Sequence, residues 1–404
     1  MLSFRPCRNK YIQQTSITLD VMDFFQSQKL LANILTVMGY LKLENPKTSS
    51  CWKSSARNAG YTLYAILLKA IAFSAVLFFR DPVLIPYGQH GAITFYVRIA
   101  ESLYHQVCMI ILLVNNIFKK RAFRKVWMLL ETLQNQEYVD CYPFCRASVK
   151  IVLIVSIVYY GMHIPVVIYS CSTVNIVTVV FIVLYVTDGM GFVIYQIYVL
   201  MLIWMLENMM IKTNLRLRIA VKVGDPSILL KVLQQHNGIL KCVVLVNQCF
   251  GMFMLITMFE MFFSTICHLY FSVSATWLVS GKQQIYMMAL RGITWAGPLM
   301  ALWWTMVTKC NSFAHVANET ALCTRHFDDY SMKNTKITKQ INKFLLKNLH
   351  QKKKFSAYGF FDIDNSVIYT VFSSIITYLV ILIQFKQLEN DLTQDAKNGN
   401  VTDG

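Results

Sequence analysis

Seven apolar stretches punctuate this 404-residue chain, and each has roughly the 20 residues that a helix needs to cross the hydrocarbon of a bilayer. They cover Tyr61–Phe79, Ala92–Phe118, Val149–Cys171, Asn175–Leu206, Cys242–Phe271, Gln284–Val307 and Asp364–Phe385. Inside lipid a segment must satisfy its own backbone polar groups, which makes each of these runs a helix. The expected fold class is therefore an all-α membrane protein with seven transmembrane helices. Charge supports this. Only 15% of the residues are charged and 55% are hydrophobic, whereas soluble domains carry about 25% charge. The net charge of +17 sits in blocks between the apolar runs, as in loops on one side of a membrane. Membrane lipid is thus an expected partner and nucleic acid is not. A shorter apolar run, Leu30–Leu43, contains Gly39 and Lys42 and reads as an interfacial or packed helix.

The same blocks set the orientation. Of 38 lysines and arginines, 31 fall in residues 1–60, 119–150, 207–241 and 308–356. Only four lie in the alternate segments: Arg80, Lys282, Lys386 and Lys397. The excess places the N-terminus inside and, after seven spans, the C-terminus outside. The expected organisation is a cytoplasmic N-terminal segment (1–60), helices one to six with an outer-half ligand pocket (61–307), a cytoplasmic anchor segment (308–356), the seventh helix (357–385) and an extracellular tail (386–404). Gly224-Asp225-Pro226 reads as a turn between helices that continue spans four and five beyond the bilayer. Trp127, Trp303 and Trp304 read as interface anchors. The chain has no phosphate loop, no His-Glu-x-x-His and no paired Cys-x-x-Cys. Neither an enzyme, a cofactor nor a metal site is expected.

Polar groups inside spans are costly and mark function or a buried pair. Arg98, Glu101 and His105 lie in the outer part of span two, Tyr159 and His163 in span three, and Asp188 near the middle of span four. Glu260 is similarly placed in span five, and Arg291 and Trp295 in span six. Together they suggest an outward pocket for polar or cationic small molecules. Taken singly, His163 reads rather as a core histidine, Arg98 and Glu101 equally as a pair on one helix face, and Asp188 as support for a bend.

The last span is the most informative. It is preceded by Gly359-Phe360-Phe361-Asp362-Ile363-Asp364, where the glycine can bend the chain and the acids suit a helix N-terminus. It ends in Thr377-Tyr378, five apolar residues, then Gln384-Phe385. Gln384 either reaches interfacial water or joins a ring of amides around an axis, where polar rings coordinate ions and apolar rings close a pore.

This ending resembles the seventh-helix signature of the insect gustatory receptors. The Gly-Phe-Phe-x-Ile-Asp segment and Asn247-Gln248-Cys249-Phe250-Gly251 resemble that family as well. The resemblance implies an insect chemoreceptor channel: a tastant-gated, non-selective cation channel of four subunits, alike or mixed, in the plasma membrane of chemosensory neurons. Its partners would be a bitter or sugar-like tastant and permeant cations. It implies pore or gate roles for Thr377, Tyr378, Gln384 and Phe385. An odorant-receptor-type channel and a multi-pass transporter are the competing expectations.

Overall fold

A computed structural model describes residues 33–39, 60–71, 74, 92–134, 150, 154, 157, 161, 176–223, 225–278, 282–325, 339, 344 and 353–399. In chain order, after a short helical segment at 33–37, come α1 (Gly60–Ile71), α2 (Ala92–Phe118) and α3 (Lys120–Gln134). Three long helices follow: α4 (Ile176–Val223), α5 (Pro226–Leu278) and α6 (Lys282–Arg325). A hairpin of β1 (Ser356–Ala357) and β2 (Phe361–Asp362) then leads into α7 (Asn365–Gly399). Apart from residues 150, 154, 157 and 161, the expected third span lies outside the described residues. Gly189–Ala220, Ser227–Ser274 and Asn365–Leu392 are apolar and long enough to cross a membrane.

The long helices outrun any bilayer. At 1.5 Å per residue, α4, α5 and α6 reach about 72, 80 and 66 Å, against a hydrocarbon core near 30 Å. The surplus lies at the end where α4 meets α5, here called the basic end because Lys212, Arg216, Arg218, Lys231 and Lys241 cluster there. As the turn residues lead one to expect, α5 starts directly after Asp225, which caps it. The Asp225 carboxylate accepts from the Ser227 N–H at 2.8 Å, and Pro226 occupies the first helical position, where its missing N–H costs nothing. That N–H, with the Ser227 hydroxyl, holds the Asp225 carboxyl below its ordinary value.

Packing fixes which helices are central. The apolar window of α4 is 89% buried within the chain and that of α7 only 17%. The core joins α2, α3, α4, α5 and α6 through Leu112, Phe123, Val199, Ile203, Val246 and Phe313. Leu35, in the short N-terminal helical segment 33–37, also reaches it, which favours packing for that stretch. Trp127 and Trp303, expected as interface anchors, are instead core residues at 4% and 2% exposure. Trp127 leans on Tyr198, since α3 folds back onto the bundle rather than along a membrane surface. Trp304 stays half exposed. At the basic end Leu217, Ala220, Leu229, Val232, Leu233 and Phe344 form a second, separate core.

The hairpin seats α7. Tyr358 and Gly359 both take positive φ, 54° and 85°, and the Phe360 N–H donates to the Ala357 carbonyl at 3.0 Å. Asn247 of α5 holds the strand from both sides. Its Nδ2 donates to the Lys354 carbonyl (3.1 Å) and its Oδ1 accepts from the Ser356 N–H (3.2 Å). One turn on, Gly251 lets the hairpin backbone approach, since a Cβ there would stand 3.0 Å from the Tyr358 nitrogen. Phe355 is fully buried and meets Phe313 edge-on. Asp364 caps α7 by accepting from the Ser366 N–H (3.1 Å). Asp362 belongs to β2, not to the start of the helix, and faces Lys354.

Candidate ligand site and the exposed helix

The face of α2 that meets α5 carries Glu101, His105, Met109 and Leu112, spaced at three to four residues so that all fall on one side. The facing stripe of α5 carries Glu260, Ser264 and His268. Two reciprocal contacts result. His105 Nδ1 lies 2.7 Å from Glu260 Oε1, a distance at which the ring N–H donates to the carboxylate. Glu101 Oε1 lies 3.0 Å from His268 Nε2, in contact without the alignment of a hydrogen bond. Each helix thus supplies one acid and one imidazole. All four residues are 6% exposed. A lone carboxylate at such a depth is costly, and a partnered one is tolerated.

The surroundings are mixed. The Tyr104 and Phe263 rings pack tilted with centroids 4.9 Å apart, and Cys108 and Tyr104 stand beside Glu260. Phe192 presents its edge to His105 and packs on Phe253, which leans on Tyr195 at 4.2 Å. This aromatic layer closes the cluster towards the basic end. The buried Thr257 and Ser264 hydroxyls and the Gln196 amide have no hydrogen-bond partner among the described residues. The site therefore offers charge, hydroxyls and aromatic faces together, which suits a small molecule with several hydrogen-bonding groups.

Three of the expected ligand residues, Glu101, His105 and Glu260, are brought together. Tyr159 and His163 lie outside the described residues, as do the side chains of Arg98, Asp188, Arg291 and Trp295. His268 was not anticipated. Its signal was its place eight residues, about two turns, beyond Glu260.

The other expected positions are on α7. One stripe of that helix packs inward: Ile368, Val371, Ile375 and, near the far end, Lys386. The opposite face is bare. Thr377, Ile381, Gln384 and Leu388 recur at four, three and four residues along it, and all are exposed. Tyr378 and Phe385 flank this line at 53% and 54% exposure. Tyr378 meets Phe262 of α5 edge-on, and the Thr377 hydroxyl turns back to the Ser373 carbonyl.

A family model described as the 7tm chemosensory receptor matches residues 28–389. Among curated proteins, gustatory and pheromone receptor 39a, isoform A, of Drosophila melanogaster is 34% identical over 166 residues, 40% of this chain and 43% of that one. Gustatory receptor 68a of the same organism is 42% identical over 91 residues, covering 22% and 23%. Gustatory and pheromone receptor 32a is 58% identical over 55 residues, covering 14% and 12%. The chain thus spans less than half the length of these relatives. Its fold is similar to the insect olfactory receptor OR5 from Machilis hrabei, with a TM-score of 0.61 at 13% identity, over 91% of this chain and 100% of that one. Against the complex of OR5 with eugenol the TM-score is 0.59 at 11% identity, with the same coverage.

Proposed function

The chain belongs to the 7tm chemosensory receptor family, with sequence relatives among the insect gustatory receptors, and from that membership we propose that it is a tastant-gated, non-selective cation channel. In this reading four copies, alike or mixed, surround one axis in the plasma membrane of a chemosensory neuron, and α7 of each copy faces the ion path. The observation that carries it is the two-sided character of α7. A membrane helix that met only lipid would have no use for Thr377 and Gln384 on its bare face. Around a shared axis the same line gives alternating polar and aliphatic rings, with Gln384 and Phe385 as the constriction. The acid–imidazole cluster between α2 and α5 serves the tastant, of bitter or sugar-like type, with Arg98, Tyr159, His163, Asp188, Arg291 and Trp295 as further candidates. The fold likeness to an olfactory receptor is compatible with an odorant-type channel, but the sequence relatives favour the gustatory type.

The test is electrical. Cells expressing the chain should give tastant-evoked cation currents without added ATP or G protein. With cysteine at Thr377 or Gln384, a thiol-reactive methanethiosulfonate should block most of that current. With cysteine at Ile375, on the packed stripe, it should not. A Gln384→Cys channel that conducts and ignores the reagent sinks the pore assignment. Flux that saturates without unitary current steps would favour a transporter.

Orientation has a separate test. Asn318-Glu319-Thr320 and Asn400-Val401-Thr402 are both glycosylation acceptors. Asn318 is exposed on α6 near the basic end. Placing that end in the cytoplasm requires that Asn318 carry no glycan. A mobility shift with glycosidase that vanishes in Asn318→Gln would invert the topology.

A further inference from the structure

One ionic cluster belongs neither to the expected ligand site nor to the bare face of α7. Lys386 follows directly after Gln384 and Phe385, yet it is 1% exposed. Two residues along a helix turn the side chain through about 200°, so this cation faces the bundle while Gln384 faces away. Its Nζ donates to Glu389 Oε2 at 2.8 Å. Glu389 Oε1 in turn accepts from the Ile93 N–H at 3.3 Å. Ile93 is in the first turn of α2, whose N–H groups have no partner within the helix. The carboxylate therefore bridges a buried cation and the positive end of α2. The next residue, Thr94, has its Oγ1 3.0 Å from Tyr270 OH on α5. Two turns further along α2 stands Glu101, against His268. Through Glu389, α7 is thus tied to α2, and α2 in turn meets α5 both at Thr94–Tyr270 and at the acid–imidazole cluster.

We propose that Lys386 and Glu389 are positioning residues for the gate: Lys386 holds the Glu389 carboxylate within α7, and that carboxylate clips α7 to the Ile93 N–H in the first turn of α2, so that a tastant displacing α2 against α5 moves Gln384 and Phe385. This rests on the channel reading above. A cation retained at this depth needs its partner. Removing either charge releases the clip, and removing the second afterwards changes little more.

The experiment uses the full-length chain at the cell surface, with sodium as charge carrier and sucrose, fructose, caffeine and denatonium as probes. Lys386→Met and Glu389→Gln should each shift the unliganded current or the half-maximal probe concentration by about fivefold or more, the usual scale of coupling between sites. The double variant should shift it no further than either single one. Lys386→Arg should restore parental behaviour, which a merely space-filling lysine would not require. The sodium-to-potassium permeability ratio should not move, because Gln384 is untouched. Where a single variant fails to reach the surface, the double variant, which leaves no unpaired buried charge, decides. Single shifts under twofold overturn the clip, as does a double variant whose shift is the product of the two. A parental chain giving no current with any probe overturns the channel reading and the clip together. Parental currents with unchanged variants overturn the clip alone.

Discussion

Gly251→Val should remove most of the protein from the cell surface and, with it, the tastant-evoked current that the channel reading expects. A Cβ at position 251 would stand 3.0 Å from the Tyr358 nitrogen, 3.1 Å from its Cα and 3.4 Å from the Ser356 carbonyl oxygen. All three are backbone atoms, so no side chain can swing aside. Nor can the hairpin relax cheaply. Tyr358 already sits at φ 54°, a left-handed conformation that costs a non-glycine residue about 1–2 kcal/mol. It stays there because Asn247 holds the segment just before it, at Lys354 and Ser356. Seating a branched side chain would cost about 1–3 kcal/mol of overpacking or more, or else lift the hairpin and give up both Asn247 hydrogen bonds. Gly251→Ala should be intermediate. Gly297→Ala is the control, because a Cβ there meets nothing within 4 Å. Thermal denaturation in detergent and surface labelling read the outcome. A Gly251→Val protein as stable as its parent would show that the hairpin is not seated on α5.

The second large effect is expected at Glu260, and its size reports the charge state of the buried pair. Glu260→Ala leaves His105 without its 2.7 Å acceptor. If the imidazole is neutral, an unsatisfied ring N–H costs about 1–3 kcal/mol. If it is an imidazolium, the uncompensated buried charge costs about 3–5 kcal/mol. Glu260→Gln keeps an acceptor in place and separates the two cases, since it is mild only for a neutral ring. Tastant responses should fall in both variants, because the ligand reading places Glu260 in the site. A Glu260→Ala protein with parental stability and an unchanged half-maximal concentration would remove the residue from both roles.

What could be read from the residues depends on which geometry each pattern carries. The boundaries of α2 coincide with its apolar run, Ala92–Phe118, and the basic Lys119–Arg121 that ends the run marks the break before α3. The runs for α4, α5 and α6 stopped short. An apolar window detects hydrocarbon thickness, whereas these helices continue as packed pairs with cores of their own, such as Leu217 against Leu229. Glu101, His105 and Glu260 were conspicuous as polar groups inside apolar helices. Their pairing was not, since His105 and Glu260 are 155 residues apart and helical spacing says nothing of neighbours on another helix. Lys386 was counted as a flanking charge for a related reason: hydropathy gives depth along a helix but not the direction a side chain faces. In the sequence, Asn247–Gly251 and Gly359–Asp364 are two separate marks of resemblance. The fold shows them as the two halves of one joint.

That joint has a mechanical consequence. With its foot secured at Asn247, Gly251 and Asp364, α7 can act as an oar in a rowlock. Gln384 lies nineteen residues along the shaft from Asn365, about 29 Å at the helical rise, so a tilt of about 5° would carry it through about 2.5 Å, close to the width of a water molecule. In the channel reading, leverage of that kind would let a small rearrangement among helices decide whether an ion passes.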